Sequence, residues 1–273
     1  MADRTKIDWC DASWNPVTGC LHGCEYCYAG GTRRYCSNEH GHEGVAAPCT
    51  GDCKFCSELD GIEFLGDKVR WNHDPSAVYP FGFWPTFHPH RLDIPARWKR
   101  PRTIFVCSMA DLFGAWVPDS WIEEVLEACR MAPQHRYLFL TKNPARYVEL
   151  IRKDIIKGTE GNFWLGTTTT RHNDRAFFTR RAPGQNTRCF TFISIEPILE
   201  QFGKCDQMGS IPLTDWVIVG AETGNRKGKV VPKKEWIMEI AEECAKYYRP
   251  IFMKDSLREL MGEDFRQEFP WKK

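Results

Sequence analysis

From Thr103 onward the chain alternates short apolar runs with segments of helical spacing, the pattern of βα units built around a parallel sheet. The runs are Thr103 to Cys107, Tyr137 to Leu140, Phe163 to Gly166, Phe190 to Ile195, Trp216 to Gly220 and Ile251 to Met253. Trp14 to Val17 adds a seventh near the start. Between them, Trp121, Ile122, Val125, Leu126 and Cys129 recur at helical spacing, with Asp119 or Ser120 placed to cap the start. Pro144 can open a second helix through Tyr147, Leu150 and Ile151, and Lys233 to Tyr247 repeats the pattern with Trp236, Ile237, Ile240, Ala241 and Cys244. The strand-like runs are apolar almost throughout, as parallel strands covered on both faces must be. The predicted class is α/β with a barrel-like parallel sheet.

A length of 273 residues suits one large core, so a single domain over residues 1–273 is expected. Residues 31–102 do not follow the βα rhythm and read as an insert, rich in cysteine and then in aromatics: Trp71, Tyr79, Phe81, Phe83, Trp84, Phe87 and Trp98. Those aromatics are expected to pack against the barrel mouth. The net charge of +1 gives no broad field for holding nucleic acid, leaving only a local basic patch such as Arg97 to Arg100 or Arg180-Arg181 for that role. Polar residues lead straight into Trp9 and no run of about eighteen apolar residues occurs, so a cytoplasmic protein that does not engage a membrane is expected.

In a reducing compartment, clustered cysteines favour metal over disulfides. Seven of the thirteen cysteines fall between Cys20 and Cys56. Cys20, Cys24 and Cys27 form a C-x3-C-x2-C loop, with Tyr26 just before the third thiol. Three thiolates can hold three corners of a 4Fe-4S cube and leave one iron open, whereas a cluster that only passes electrons normally takes four. The open corner can chelate a small molecule, and an aromatic between the last two thiols suits a flat adenine.

Barrel enzymes place their chemistry at the C-terminal ends of the strands. There the sequence turns polar each time: Ser108 and Asp111, Thr141 and Lys142, Thr167 to Thr170, Glu196, Glu222 and Thr223, Lys254 and Asp255. One such residue would pass as a helix cap. Six ends in a row point to a polar-rimmed cavity.

The stretch Trp14-Asn15-Pro16-Val17-Thr18-Gly19-Cys20, followed by Cys24, Cys27, Tyr28 and Ala29, resembles the opening of a phage- and prokaryote-associated family of radical S-adenosylmethionine (SAM)-like proteins. Further resemblance lies in Phe87-His88-Pro89 with Arg91-Leu92, Ser108 to Phe113, Ile195 to Leu199, Trp216 to Gly224 and Phe252-Met253-Lys254, so it spans most of the chain. Many members space their first two cysteines more widely; this chain has the common superfamily spacing. The resemblance implies a partial (β/α) barrel and an enzyme whose 4Fe-4S cluster on Cys20, Cys24 and Cys27 cleaves SAM reductively, giving a 5'-deoxyadenosyl radical that removes hydrogen from an unknown substrate. An electron donor is implied as a partner. It further implies that Tyr26 contacts the adenine, that Ser108 and Asp111 accept the SAM amino group, and that Thr141 and Thr167 line the cofactor site. Glu196, Glu222 and Lys254 would face ribose or substrate as the catalytic set.

The second set, Cys36, Cys49, Cys53 and Cys56, satisfies either structural zinc or a closed auxiliary 4Fe-4S cluster. Spacing does not separate the two, and the set is not a general feature of the family. Two readings stand beside the enzyme with an open substrate: a nucleic-acid repair or modification factor of the same chemistry, and a non-catalytic, metal-stabilised binding protein. Intact spacing together with Tyr26 argues against the last.

Overall fold

A computed structural model describes residues 5–27, 62–65, 68–71, 83, 85–158, 160–174, 176, 189–202 and 210–272. Cys36, Cys49, Cys53, Cys56 and the Arg180-Arg181 pair lie outside the described residues.

The strands of the large sheet are β1 (Ala12–Trp14), β6 (Thr103–Val106), β7 (Arg136–Thr141), β8 (Phe163–Thr169), β9 (Phe190–Ile195), β10 (Trp216–Val219) and β11 (Ile251–Met253). All neighbours pair in parallel, in the order β1-β6-β7-β8-β9-β10-β11. Helices α2 (Asp119–Arg130), α3 (Ala145–Arg152) and α4 (Lys234–Lys246) form where the apolar spacing requires them. Among the described residues these three helices, each joining neighbouring strands, pack on one face of the sheet, and the strands, laid down one step at a time, curl around the other face. The result is an open α/β partial barrel.

Side-chain parity divides the core into an inside and an outside. Leu138, Trp164, Phe192, Trp216, Ile218 and Phe252 fill the concave side with Trp9, a plug dominated by aromatic rings. On the convex side, Ile104, Val106, Tyr137, Phe139, Phe163 and Leu165 pack under α2 and α3. Ile193, Ile195, Val217, Val219, Ile251 and Met253 pack under α4. The free edge of β11 is covered by the chain's own end, through the Met253 amide to the Arg266 carbonyl at 2.8 Å and the Glu268 amide to the Ile251 carbonyl at 2.9 Å. An edge paired in this way offers no template for another chain.

The start of the chain departs from the sequence reading. The first strand ends at Trp14, and Val17–Thr18 (β2) belongs to a second sheet of order β2-β5-β4-β3, with β3 Ile62–Leu65, β4 Lys68–Trp71 and β5 Thr86–Phe87. Pro16 lies between the two strands, where it offers no N–H to either ladder and its carbonyl accepts from the His88 amide. After β5, a short helix α1 (Ile94–Arg97) leads back to the barrel. Phe87 stacks on Trp121 of α2 with ring centroids 5.3 Å apart. That insert aromatic therefore packs on the helical flank of the barrel. Among the described residues no helix is long and apolar enough to cross a membrane.

Just past β5, the fully buried His88 is tied to β2 and to the link that precedes it: its Nε2 lies 2.8 Å from the Thr18 hydroxyl, and its amide donates to the Pro16 carbonyl at 2.8 Å. Burial, then the neighbouring Arg91 and His90, pull its pKa from 6.5 down to about 3. The folded state keeps this imidazole neutral while the unfolded chain takes a proton below 6.5, so stability is whole above that pH and drains away as pH falls toward about 3. His88→Gln can keep the contact with Thr18 but cannot titrate. Urea midpoints measured between pH 7 and pH 4 should fall less steeply for the variant than for the parent, and parallel profiles would refute the assignment.

Candidate functional site

Two motifs of the sequence turn out to be one interlocked unit. The side-chain carbonyl of Asn15 accepts from the Ser108 hydroxyl and the Met109 amide, both at 3.1 Å. Three residues past Pro16, the Gly19 amide donates to the Met109 carbonyl at 3.0 Å, and Gly19 bridges to Ala110. The loop bearing Cys20, Cys24 and Cys27 is thereby seated at the C-terminal end of the barrel sheet, just past β6. All three cysteines are half-buried thiols outside any disulfide. Burial is the main reason the Cys20 thiol is pushed up to about 12, opposed by a hydrogen bond from the His22 amide. Any metal bound there must displace that proton. Among the described residues no three His, Cys, Asp or Glu side chains converge on one point as the ligands of a single ion do.

Tyr26 forms one wall of a cavity of about 530 Å³ whose other walls include Lys142, Asn143, Thr168, Thr170 and Asp174. The Lys142 ammonium stands 5.6 Å from the centre of the Tyr26 ring, within cation–π range. Burial, and then Cys24 close by, hold the Tyr26 phenol above its ordinary value, so it stays protonated. Asp174 braces the end of β8 by accepting from the Thr170 amide at 2.6 Å, the Thr170 hydroxyl at 3.1 Å and the Arg171 amide at 3.0 Å.

The strand-end residues divide by what they touch. Thr168 lines the cavity, whereas Thr167 shares the convex face with Phe163 and Leu165 and is fully buried. A strand turns alternate residues to opposite faces, so Thr167 is not placed to meet a ligand in that cavity. Asp111 is also occupied. Its Oδ2 accepts from His22 Nε2 at 2.7 Å, the Thr141 hydroxyl at 3.0 Å and the Lys142 amide at 2.9 Å, and its Oδ1 accepts from the Phe113 amide at 3.0 Å. Neither Asp111 nor Thr141 is therefore an open ligand group, and Ser108 spends its hydroxyl proton on Asn15. Glu222, fully buried, receives two bonds from Arg226, at 2.6 and 2.8 Å, and one from the Val230 amide at 3.2 Å. The Arg226 bonds hold its carboxyl below the usual range. Arg226 also reaches Glu25 of the cysteine loop at 3.9 Å, so Glu222 anchors a strap to that loop and is not an open catalytic carboxylate.

Glu196 and Lys254 directly follow β9 and β11. They form an ion pair across the end of β10, continuing the concave-side parity of Phe192 and Phe252. Gly220 makes that pair possible, since a Cβ there would lie 2.8 Å from Lys254 Cδ and 3.5 Å from Glu196 Cγ. Both side chains keep about a quarter or less of their surface exposed, at 27% and 20%. An ion pair so placed is screened less than a surface one and remains accessible from the mouth.

Residues that the sequence did not single out complete the site: His22, Asn15, Asp174 and Arg226. His22 carried the plainest signal, standing inside the C-x3-C loop. Comparison with known proteins finds no match among curated sequences. Among solved structures, a cysteine-to-serine mutant of spore photoproduct lyase superposes with a TM-score of 0.42 at 11% identity, covering 96% of this chain and 78% of that one. Residues 4–260, which hold the cysteine loop, the interlocked Asn15 and Met109 segments and the strand ends of the barrel mouth, match the family described as protein of unknown function (DUF5131), and the chain belongs to that family.

Proposed function

We propose that the chain is a radical SAM enzyme in which Cys20, Cys24 and Cys27 hold a 4Fe-4S cluster and Tyr26 contacts the adenine of SAM. The observation that carries this reading is a loop with three thiols outside any disulfide, seated at the mouth of a parallel partial barrel, whose aromatic residue walls a cavity of about 530 Å³. Three thiolates that each hold a different iron of a cube need not converge on one point, whereas a single zinc would require it. When bound, such a cluster supplies reductive cleavage of SAM to a 5'-deoxyadenosyl radical.

The chain's own residues then bind, orient and exclude water. Lys142, Thr168 and Thr170 offer polar contacts beside Tyr26, with Lys142 able to neutralise a carboxylate. Glu196 and Lys254 face the mouth from β9 and β11, where a substrate with a charged or hydrogen-bonding group would meet them. Beneath them the plug of Phe192, Trp216, Ile218 and Phe252 closes the barrel to solvent from the other end. A reactive radical needs such a dry floor. Cys36, Cys49, Cys53 and Cys56 would hold zinc or an auxiliary 4Fe-4S cluster, and an external donor would supply the electron.

Anaerobic reconstitution followed by iron and sulfide counting tests the cluster, with about four of each per chain expected from the first loop alone and about eight if the second set also holds a cube. Incubating the dithionite-reduced protein with SAM should release 5'-deoxyadenosine. A reconstituted protein that holds only zinc at the first loop, or that leaves SAM intact, ends the proposal.

A further inference from the structure

We infer that Asp111 and His22 form a latch that sets the shape of the Cys20 to Cys24 arc before any metal arrives. Asp111 is thus a positioning residue for the cysteine loop, not a contact for the bound nucleoside. The two residues are 89 positions apart, and their contact at 2.7 Å is among the shortest in the site. A carboxylate can only accept, so His22 Nε2 carries the proton and donates it. With the imidazole fixed at one nitrogen, its ring is braced from the side by Trp116, edge-on with centroids 4.8 Å apart.

The other three bonds to Asp111 explain why the carboxylate cannot move with the loop. The Phe113 amide at 3.0 Å closes a turn onto the residue's own backbone, which fixes the side chain relative to the end of β6. The Thr141 hydroxyl and the Lys142 amide, at 3.0 and 2.9 Å, fix it to the end of β7. Thr141 is itself held, since its oxygen accepts from the Asn143 amide at 2.9 Å. Four donors from three parts of the chain therefore meet one carboxylate that is only 5% exposed. Satisfied networks of this kind rigidify what they join. Lys142 lines the ligand cavity and Cys20 and Cys24 flank His22, so one carboxylate sets both the thiols and the cation across from Tyr26.

Amide hydrogen exchange of the metal-free protein, followed by mass spectrometry on the peptide spanning Thr18 to Cys27, reads the latch without iron or activity. His22→Ala removes the only side-chain donor of the loop to Asp111 seen among the described residues, and exchange across the arc should speed up about tenfold, as expected for loss of one charge-assisted bond. His22→Gln places an amide N–H near the position of Nε2 and should restore most of the protection. A general loss of stability would not be rescued so selectively, and the thermal midpoint should barely differ between the two variants because His22 is a half-buried loop residue. The inference rests on the cluster reading only for its consequence in the loaded protein. If the parent takes up no iron yet His22→Ala still loosens the arc and His22→Gln restores it, the latch stands and the cluster reading falls. Equal exchange in the parent, His22→Ala and His22→Gln would overturn the latch, whatever the iron content.

Discussion

Cys24→Ala is expected to lower 5'-deoxyadenosine release by about a thousandfold or more, to the level of a no-enzyme control, while leaving the fold unchanged. Two thiolates do not hold three corners of a cube, so the variant should also lose most of its iron on gel filtration after reconstitution. Cys24 is half-buried on a loop outside all three core clusters, so its truncation leaves the packing of the barrel core intact. Its thermal midpoint should therefore match the parent's. Cys129→Ala supplies the opposite pattern. That thiol is completely buried on α2 within the core cluster that also holds Ile104, Tyr137 and Leu126, where burial holds it far above its ordinary pKa. Its removal should cost about 1 kcal/mol of stability and leave iron content and SAM cleavage untouched. If Cys24→Ala keeps its iron and cleaves SAM, the assignment of the first loop is wrong. If both variants lose activity in step with stability, the loop has no special role.

Much of the barrel was readable because its strands are buried on both faces. A buried strand is written as a run of apolar residues, and each of the six runs from Thr103 onward became a strand of the sheet. The same property hid which face each residue takes. In Phe163-Trp164-Leu165-Gly166 every position is apolar or lacks a side chain, so no alternation shows, and Thr167 was as plausible a cavity residue as Thr168. The second sheet left no signal either, because β2 and β5 are two residues each, too short for any period. The polar residues follow the strand-like runs in the sequence, but the partners they take are not written there. A sequence marks Asp111 and Glu222 as carboxylates at a barrel mouth. It does not show that His22, far earlier in the chain, takes up the first, or that Arg226 folds back four residues to take up the second. Glu196 and Lys254 differ because their partners are each other, and both remain at the opening.

Gly166→Ala should lower the thermal midpoint by about 2–12 °C, although the same change at an ordinary strand position would stabilise by about 0.5–1 kcal/mol. The sign reverses because of what the concave face holds. Gly166 sits directly across from Phe192 in the β8–β9 register, and a Cβ at this position would lie 2.2 to 2.5 Å from three atoms of that ring. The ring has nowhere to go. Phe192 is completely buried, with the Trp9 and Trp216 rings centred 6.2 and 5.9 Å away. The backbone at Gly166 is tied as well, its carbonyl accepting from the Tyr147 hydroxyl at 3.1 Å. Forcing a methyl into such a site costs about 1–3 kcal/mol, and each kcal/mol lowers the midpoint of a chain of this size by about 2–4 °C. Phe192→Leu alone should also destabilise, by opening a void in the plug. Combined with Gly166→Ala, it removes the ring edge that the methyl strikes, so the double variant should be more stable than the two single losses added together. Calorimetric scans of the four proteins decide the matter, and an unchanged midpoint for Gly166→Ala would mean that the aromatic plug is not packed as the contacts across β8 and β9 require.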